Sequence, residues 1–473
     1  MKMRLAFTRK LRKTKMRATN NRSSNNVLNY SANLNYKHVF DSLGAEISMD
    51  FDAVRFDNNT LQTFDTRYLD LNRSETRRPY ILEGDMRGAL SIYALKADYV
   101  KPFSSRTRLE AGIKTSAVRA DNNVVFNDVS AAQAVYDSTK SNHFIYDENI
   151  NAAYGILHRT INPKWNLQLG LRVENTNIAG NQLVYHTRFT SSYTQLFPTV
   201  TVGFKPSAKH GFEWSVNRRI ERPSYRQLNP FKFYLDPTTY QQGNPYLIPQ
   251  TTHSLDFNYV YNEKIALTLS YFRTLHNITE TIGPSLTEEK ITVQTERNID
   301  YAEYYSANLS VPAKVGKFWS MQNDLNCYYG AYQANVLSTR LDRVGNFTWN
   351  LNSVHTFIIT PTISAELSGN YRAPERYAFD YIHNIWSVNA GVQKKLWDGR
   401  GNLKLSVNDL FYTNRVTADV AFTDYTEHFR VRRETRVATL AFTYRFGKNS
   451  VAGARRRSGG VEDLKRRAAS GNG

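Results

Sequence analysis

The sequence predicts an all-β fold, a large antiparallel transmembrane β-barrel, on three observations. Period-2 alternation dominates the chain, helical periodicity of comparable length is absent, and short connections alternate with long ones from end to end.

The alternation is cleanest in a few segments. In 163–175, Trp165, Leu167, Leu169, Leu171 and Val173 alternate with Asn166, Gln168, Gly170, Arg172 and Glu174. In 253–261, His253, Leu255, Phe257, Tyr259 and Tyr261 share one face, with Ser254, Asp256 and Asn258 on the other. After Asn262-Glu263-Lys264 the pattern resumes at Ile265, Leu267, Leu269 and Tyr271, which reads as a hairpin with a tight polar turn. Segments 28–36, 108–117, 386–393 and 402–409 read the same way, and the last strand sets Leu440, Phe442, Tyr444 and Phe446 against Thr439, Ala441, Thr443 and Arg445.

Short connections fall near 39–42, 101–104, 160–163, 205–209, 262–264, 313–317, 360–361 and 396–400. Long polar segments fall near 56–86, 118–143, 176–192, 219–250, 274–300, 331–344, 372–381 and 413–432. All tight turns at one end and all long loops at the other is the layout of an outer-membrane barrel. The count between connections is roughly 17 strands, and a closed antiparallel barrel with both termini on one side needs an even number. The expectation is therefore an N-terminally incomplete barrel, about 17 of the 22 strands of the kind that holds a plug. It divides as 1–27, a basic segment of no assigned role; 28–447, the barrel; and 448–473, a flexible basic tail.

Composition agrees with strands that have one apolar and one wet face. Among 473 residues there are 30 Tyr and 25 Phe, yet only 41% of the chain is hydrophobic and the mean hydropathy is -0.54. No stretch supplies the ~20 apolar residues of a transmembrane helix, and no apolar run of a signal peptide follows the basic start. The net charge of +19 is concentrated at the ends: residues 1–22 hold nine Lys/Arg and no acid, and 448–473 are also basic. The interior is nearly balanced and the tail has no interleaved aromatics, so nucleic acid is not an expected partner. Cys327 is the only cysteine, which excludes an internal disulfide. The ten histidines show no metal-ligand spacing and no nucleophile motif is present, so neither a cofactor, a metal nor an enzyme is expected.

Several motifs together resemble a known family: LFPTV (196–200), NRRIERPSYRQLNPF (217–231), GNPYLIPQ (243–250), SLDFNYVY (254–261) and FTYRFGK (442–448), with FIYDENINAAYG (144–155) and LQLGLRVENTNIAG (167–180). They resemble the outer-membrane β-barrel family of TonB-dependent receptor-like proteins of the Bacteroidota type, in its C-terminal barrel portion. The resemblance implies a cell outer membrane location and energised nutrient uptake. It also implies outer-membrane lipid, a small nutrient ligand, a TonB-type energy-coupling protein and a surface lipoprotein as partners, with a plug and signal peptide that have no counterpart here. The alternative is a non-transporting surface receptor or adhesin barrel.

Two residue sets are singled out. Arg222, Tyr225, Tyr234 and Tyr240 lie in the 219–250 segment, where they could form a ligand-facing surface by stacking and hydrogen bonding, or belong to a stiff loop built on Pro223, Pro230, Pro237, Pro245 and Pro249 with Gly243 at a positive-φ turn. Arg172, Glu174, Asp256 and Asn258 are expected to face a hydrated lumen. Trp165, Tyr259, Tyr271 and Phe446 are expected to face lipid or its interface.

Overall fold

The computed structural model describes residues 16–446 and 462–469, apart from 71, 185, 231, 237–238, 286–290, 337–338 and 423–424. One 18-stranded antiparallel sheet holds the chain together: seventeen long strands and the two-residue strand Val135–Tyr136. The long strands are β1 Met16–Val39, β2 Glu46–Leu69, β3 Glu75–Ser104, β4 Thr107–Asp128, β5 Asn142–Asn162, β6 Trp165–Gln182, β7 Thr187–Ser207 and β8 His210–Glu221. They continue with β9 Gln250–Tyr261, β10 Ile265–Leu275, β11 Tyr301–Val315, β12 Trp319–Val336, β13 Thr339–Ile358, β14 Ile363–Arg372, β15 Ile385–Leu396, β16 Gly401–Val407 and β17 Ala438–Tyr444. Each pairs with the next in a single meander. Among the described residues β1 and β17 do not pair with each other. Both run toward the tight-turn end, so the two edges are parallel in sense.

Local chemistry sets the tight turns. Asn262 and Glu263 both take positive φ, at 50° and 54°, in the three-residue turn between the paired Tyr261 and Ile265. Asn162 closes the β5–β6 turn with its side-chain oxygen, accepting from the backbone N–H groups of Lys164 and Trp165 at 2.9 and 3.1 Å. Gly44, Gly316 and Gly399 provide left-handed positions at three further turns on the same end.

The two faces divide as the alternation demands. Leu169, Leu171, Leu255, Leu269, Val392 and Leu405 are 40–53% exposed on one face. A sheet face this apolar is unsuited to water and suited to acyl chains. Aromatic rings gather near the tight-turn edge of that face: Trp165 stacks on Phe204 at 4.2 Å, Phe212 on Tyr259 at 5.0 Å, and Trp319 on Phe357 at 5.9 Å. This is the arrangement of an interfacial girdle. Tyr271 meets Tyr305 at 4.8 Å on the same face, and Phe446 is 89% exposed. The other face carries cross-strand polar pairs, such as Ser270–Asp256 at 2.6 Å, Thr268–Asn258 at 2.7 Å and Ser310–Asp324 at 2.7 Å.

Four expected long loops are instead paired strand. The segments 56–86, 118–143, 176–192 and 331–344 lie largely in the ladders, with Thr66 opposite Tyr80, Leu82 opposite Asp128, Gln182 opposite Thr187, and Val336 opposite Thr339. About 9–11 residues cross a membrane, and these strands run to 30. Beyond the lipid both faces are wet, so the apolar alternation fades while the backbone ladder continues. The sequence 28–38 likewise extends back to Met16, taking in part of the basic start; residues 1–15 lie outside the described residues.

Two smaller sheets cap the long-loop end. One joins Lys232–Asp236, Thr239–Gln242, Thr292–Asn298 and Ile278–Pro284, and the other joins Glu375–Tyr377, Asp380–Ile382, Arg415–Phe422 and Tyr425–Arg432. The upper inner wall is apolar: Val54, Ile92, Val118, Phe144, Tyr146 and Ile150 form a cluster that receives Tyr225, Leu228 and Leu247 from the 222–249 loop and Leu464 from the tail. The expected flexible tail is thus a docked helix over Glu462–Ala469; the rest of 448–473 lies outside the described residues. An amphipathic segment with a leucine that fits an apolar wall becomes ordered where charge counting alone suggests a solvated extension.

Candidate functional site

The site forms where β5–β9 meet the 222–249 loop. Ser224 starts the short helix α1, Tyr225–Leu228, with a reciprocal capping box: its hydroxyl accepts from the Gln227 N–H and the Gln227 side chain accepts from the Ser224 N–H. That turn sends Tyr225 and Leu228 into the apolar wall and leaves Arg222 pointing at β6. The second half of the loop packs on α1. Asn244 N–H donates to the Gln227 carbonyl at 2.6 Å, and the Gln250 side chain accepts from Asn277 and from the Ile278 N–H at 3.0 and 2.8 Å. The motifs 217–231 and 243–250 are therefore clasped to each other and to the 276–300 loop.

Gly243 is not at positive φ. Its missing side chain is needed for close approach: a Cβ there would lie 2.3 Å from the Asn229 carbonyl oxygen and 2.7 Å from that of Arg226. The expected left-handed turn is corrected to a backbone crossing that only glycine allows.

Arg222 donates to Glu174 at 2.6 Å and to Thr176 at 2.9 Å. Both charged side chains are nearly dry, 10% and 7% exposed, and Arg172 pairs with the same carboxylate at 2.5 Å. Burial works against the Arg222 cation, but Glu174 outweighs it and holds the guanidinium above its ordinary value. Tyr225 is 8% exposed, with burial pushing its hydroxyl well above the usual range.

A cavity of about 560 Å³ opens here, lined by Glu148, Tyr193, Gln195, Arg218 and Arg222 among others. The hydroxyl of Tyr193, Oε1 of Gln195 and the Nε atoms of Arg218 and Arg222 are buried among these side chains. The arrangement suits a small polar ligand carrying acceptor groups, held by arginine and tyrosine against the Phe189 and Leu247 side chains.

The two sets of singled-out residues are only partly brought together. Arg222 lines the cavity, and Tyr225 sits beside it inside the apolar wall. Tyr240 is buried elsewhere, under the Lys232 ammonium at 4.5 Å, on a second cavity of about 490 Å³. Tyr234 pairs with Tyr240 along the backbone of the capping sheet. Arg172, Glu174, Asp256 and Asn258 share the polar face, with Glu174 paired to the cavity-lining Arg222 and Asp256 and Asn258 lower on β9. Sequence reasoning missed Glu148, Tyr193, Gln195 and Arg218. In the strand Glu148 shares the buried face of Tyr146 and Ile150, and nothing local in the sequence marks it as a site residue.

The profile of the outer membrane protein beta-barrel family matches residues 38–444. The chain belongs to that family. No curated protein sequence matches it. Solved structures share the fold at low identity. The ferric yersiniabactin uptake receptor FyuA from Yersinia pestis has a TM-score of 0.53 at 12% identity, over 85% of this chain and 62% of that one. The siderophore receptor PiuA from Acinetobacter baumannii gives 0.53 at 12%, over 85% and 64%. The FrpB iron transporter from Neisseria meningitidis gives 0.51 at 12%, over 89% and 72%. The chain spans less than two thirds of the length of the first two receptors. It shares the barrel fold of these proteins, and its place is the outer membrane of a Gram-negative envelope.

Proposed function

We propose that the chain is the barrel of a TonB-dependent receptor that takes up a small nutrient, acting by binding and passage and not as an enzyme. The observation that carries this is the cavity at the loop end of the sheet, lined by Glu148, Tyr193, Gln195, Arg218 and Arg222. Such a site grips a ligand with negative or acceptor groups, while the outward apolar face holds the barrel in lipid. Energy for passage would come from a TonB-type coupling protein, and a surface lipoprotein is the partner suited to deliver ligand to the loops.

The test compares a strain expressing the full-length protein with an Arg218→Ala/Gln195→Ala strain and a deletion strain, following depletion of small molecules from a defined medium by mass spectrometry. Uptake predicts at least one acidic or acceptor-rich compound that both altered strains leave behind. Identical depletion in all three strains would overturn the transport reading.

A further inference from the structure

The tail helix α2, Glu462–Ala469, meets the inner wall through one side chain in particular. Arg467 grips the Glu148 carboxylate with two nitrogens, Nη1 at 2.6 Å and Nη2 at 3.1 Å. Its Nε and Nη2 also donate to the Pro223 carbonyl at 3.1 and 3.0 Å, and its guanidinium lies 4.6 Å over the Tyr225 ring. The Glu148 side chain is 0% exposed, and its other partner is the Tyr146 hydroxyl at 3.0 Å. A carboxylate this dry is not tolerated without a cation. A two-pronged carboxylate, a carbonyl and an aromatic face together fit a planar guanidinium and not a point-charge ammonium.

The rest of the helix reinforces the seat. Leu464 is 1% exposed in the apolar wall, and Asp463 pairs with Lys114 of β4 at 3.1 Å. Residues 445–461 can span up to ~55 Å when extended, enough to reach from the tight-turn end of β17 to this height. Glu148 and Pro223 also line the 560 Å³ cavity, so whatever fills the guanidinium seat shapes that cavity.

We propose that Glu148, the Pro223 carbonyl and the Tyr225 ring form a guanidinium-binding site in the barrel wall, and that the chain's own Arg467 occupies it as an internal ligand, shutting out arginine-bearing peptides. The inference does not depend on transport. A fluorescein-labelled peptide of the tail's own sequence, LKRRAA, is titrated into the full-length protein in detergent, its folding checked by heat-dependent electrophoretic mobility. The Arg467→Ala protein should bind the peptide at least about tenfold more tightly than the wild type, a difference of ~1.4 kcal/mol. Adding Glu148→Gln should remove that gain, and the peptide LKRKAA should bind no better to Arg467→Ala than to the wild type. If Glu148→Gln does not fold, Tyr225→Leu takes its place. Trypsin should also release the tail at Lys465 and Arg466 faster in Glu148→Gln or Tyr225→Leu than in the wild type. Equal peptide affinity for wild type and Arg467→Ala, equal binding of the LKRRAA and LKRKAA peptides, or equal trypsin rates would each overturn the proposal.

Discussion

The lipid-facing assignment predicts that a single charge has a cost set by its depth. On β6 the outward apolar residues run from Trp165 to Val173, beyond which Asn175 and Asn177 are hydrogen bonded to each other. At ~3.3 Å per residue and a tilt of ~40°, that stretch is ~20 Å tall. Leu169 lies at its centre, 40% exposed. Leu267 lies nearer the tight-turn edge, two residues from Ile265 where β10 begins. Leu169→Arg should therefore cost ~2–4 kcal/mol and Leu267→Arg ~1–2 kcal/mol, since the penalty of a cation falls toward the interface. The control is Ser270→Lys on the polar face, beside Asp256, where a new ion pair keeps the change within ~1 kcal/mol. Each protein is folded from urea into phosphatidylcholine vesicles, and the folded fraction is read by heat-dependent electrophoretic mobility. The expected order of urea resistance is wild type, Ser270→Lys, Leu267→Arg, Leu169→Arg. Wild-type resistance in Leu169→Arg, or an equal loss in Ser270→Lys, would refute the facing.

Three further outcomes follow from the loops. Arg222→Ala strips Glu174 of its loop partner while Arg172 remains, so the 222–249 loop should lose ~1–3 kcal/mol and be nicked faster by protease; the double variant with Glu174→Gln should lose less than the two single losses added together. Gly243→Ala drives a methyl into the Asn229 and Arg226 carbonyls and should destabilise the same loop by ~1–3 kcal/mol, leaving the mobility shift of the barrel intact. Burial, with Glu280 nearby, raises the Asp380 carboxyl to about 6 in the Glu375–Ile382 hairpin. A carboxyl raised by folding favours the fold when protonated, so the hairpin is firmest below the unfolded value of ~3.9 and weakens as pH rises through about 6. Hydrogen exchange at Ala421, whose N–H bonds the Phe379 carbonyl, should show more protection at pH 5 than at pH 7.5 after correction for intrinsic rates, and Asp380→Asn should flatten the difference.

What could be read from the sequence, and what could not, divides by the range of the interaction. Leu169 against Gln168, or Tyr259 against Asn258, reveals its face because lipid and water act on neighbouring residues with opposite preference, a local signal repeated every second position. Asn262-Glu263-Lys264 reveals its turn because the φ demand lies within the tripeptide. At 56–69 the solvent is the same on both faces, so the pattern carries no sign of the strand although the ladder to 75–86 persists. Gly243 was read as a local conformational need, yet its reason is a carbonyl fourteen residues earlier in a loop that folds back on itself. Arg467 and Glu148 stand 319 residues apart, and neither carries a local mark of the other. The seat they share depends on β5 facing inward at a height where the wall is apolar, on α1 bringing Pro223 and Tyr225 across, and on Leu464 fitting beside them. A basic tail reads as solvated when its charges are counted alone. One buried carboxylate on the wall changes that balance, because removing Glu148 from water makes a paired guanidinium the cheaper state for both groups.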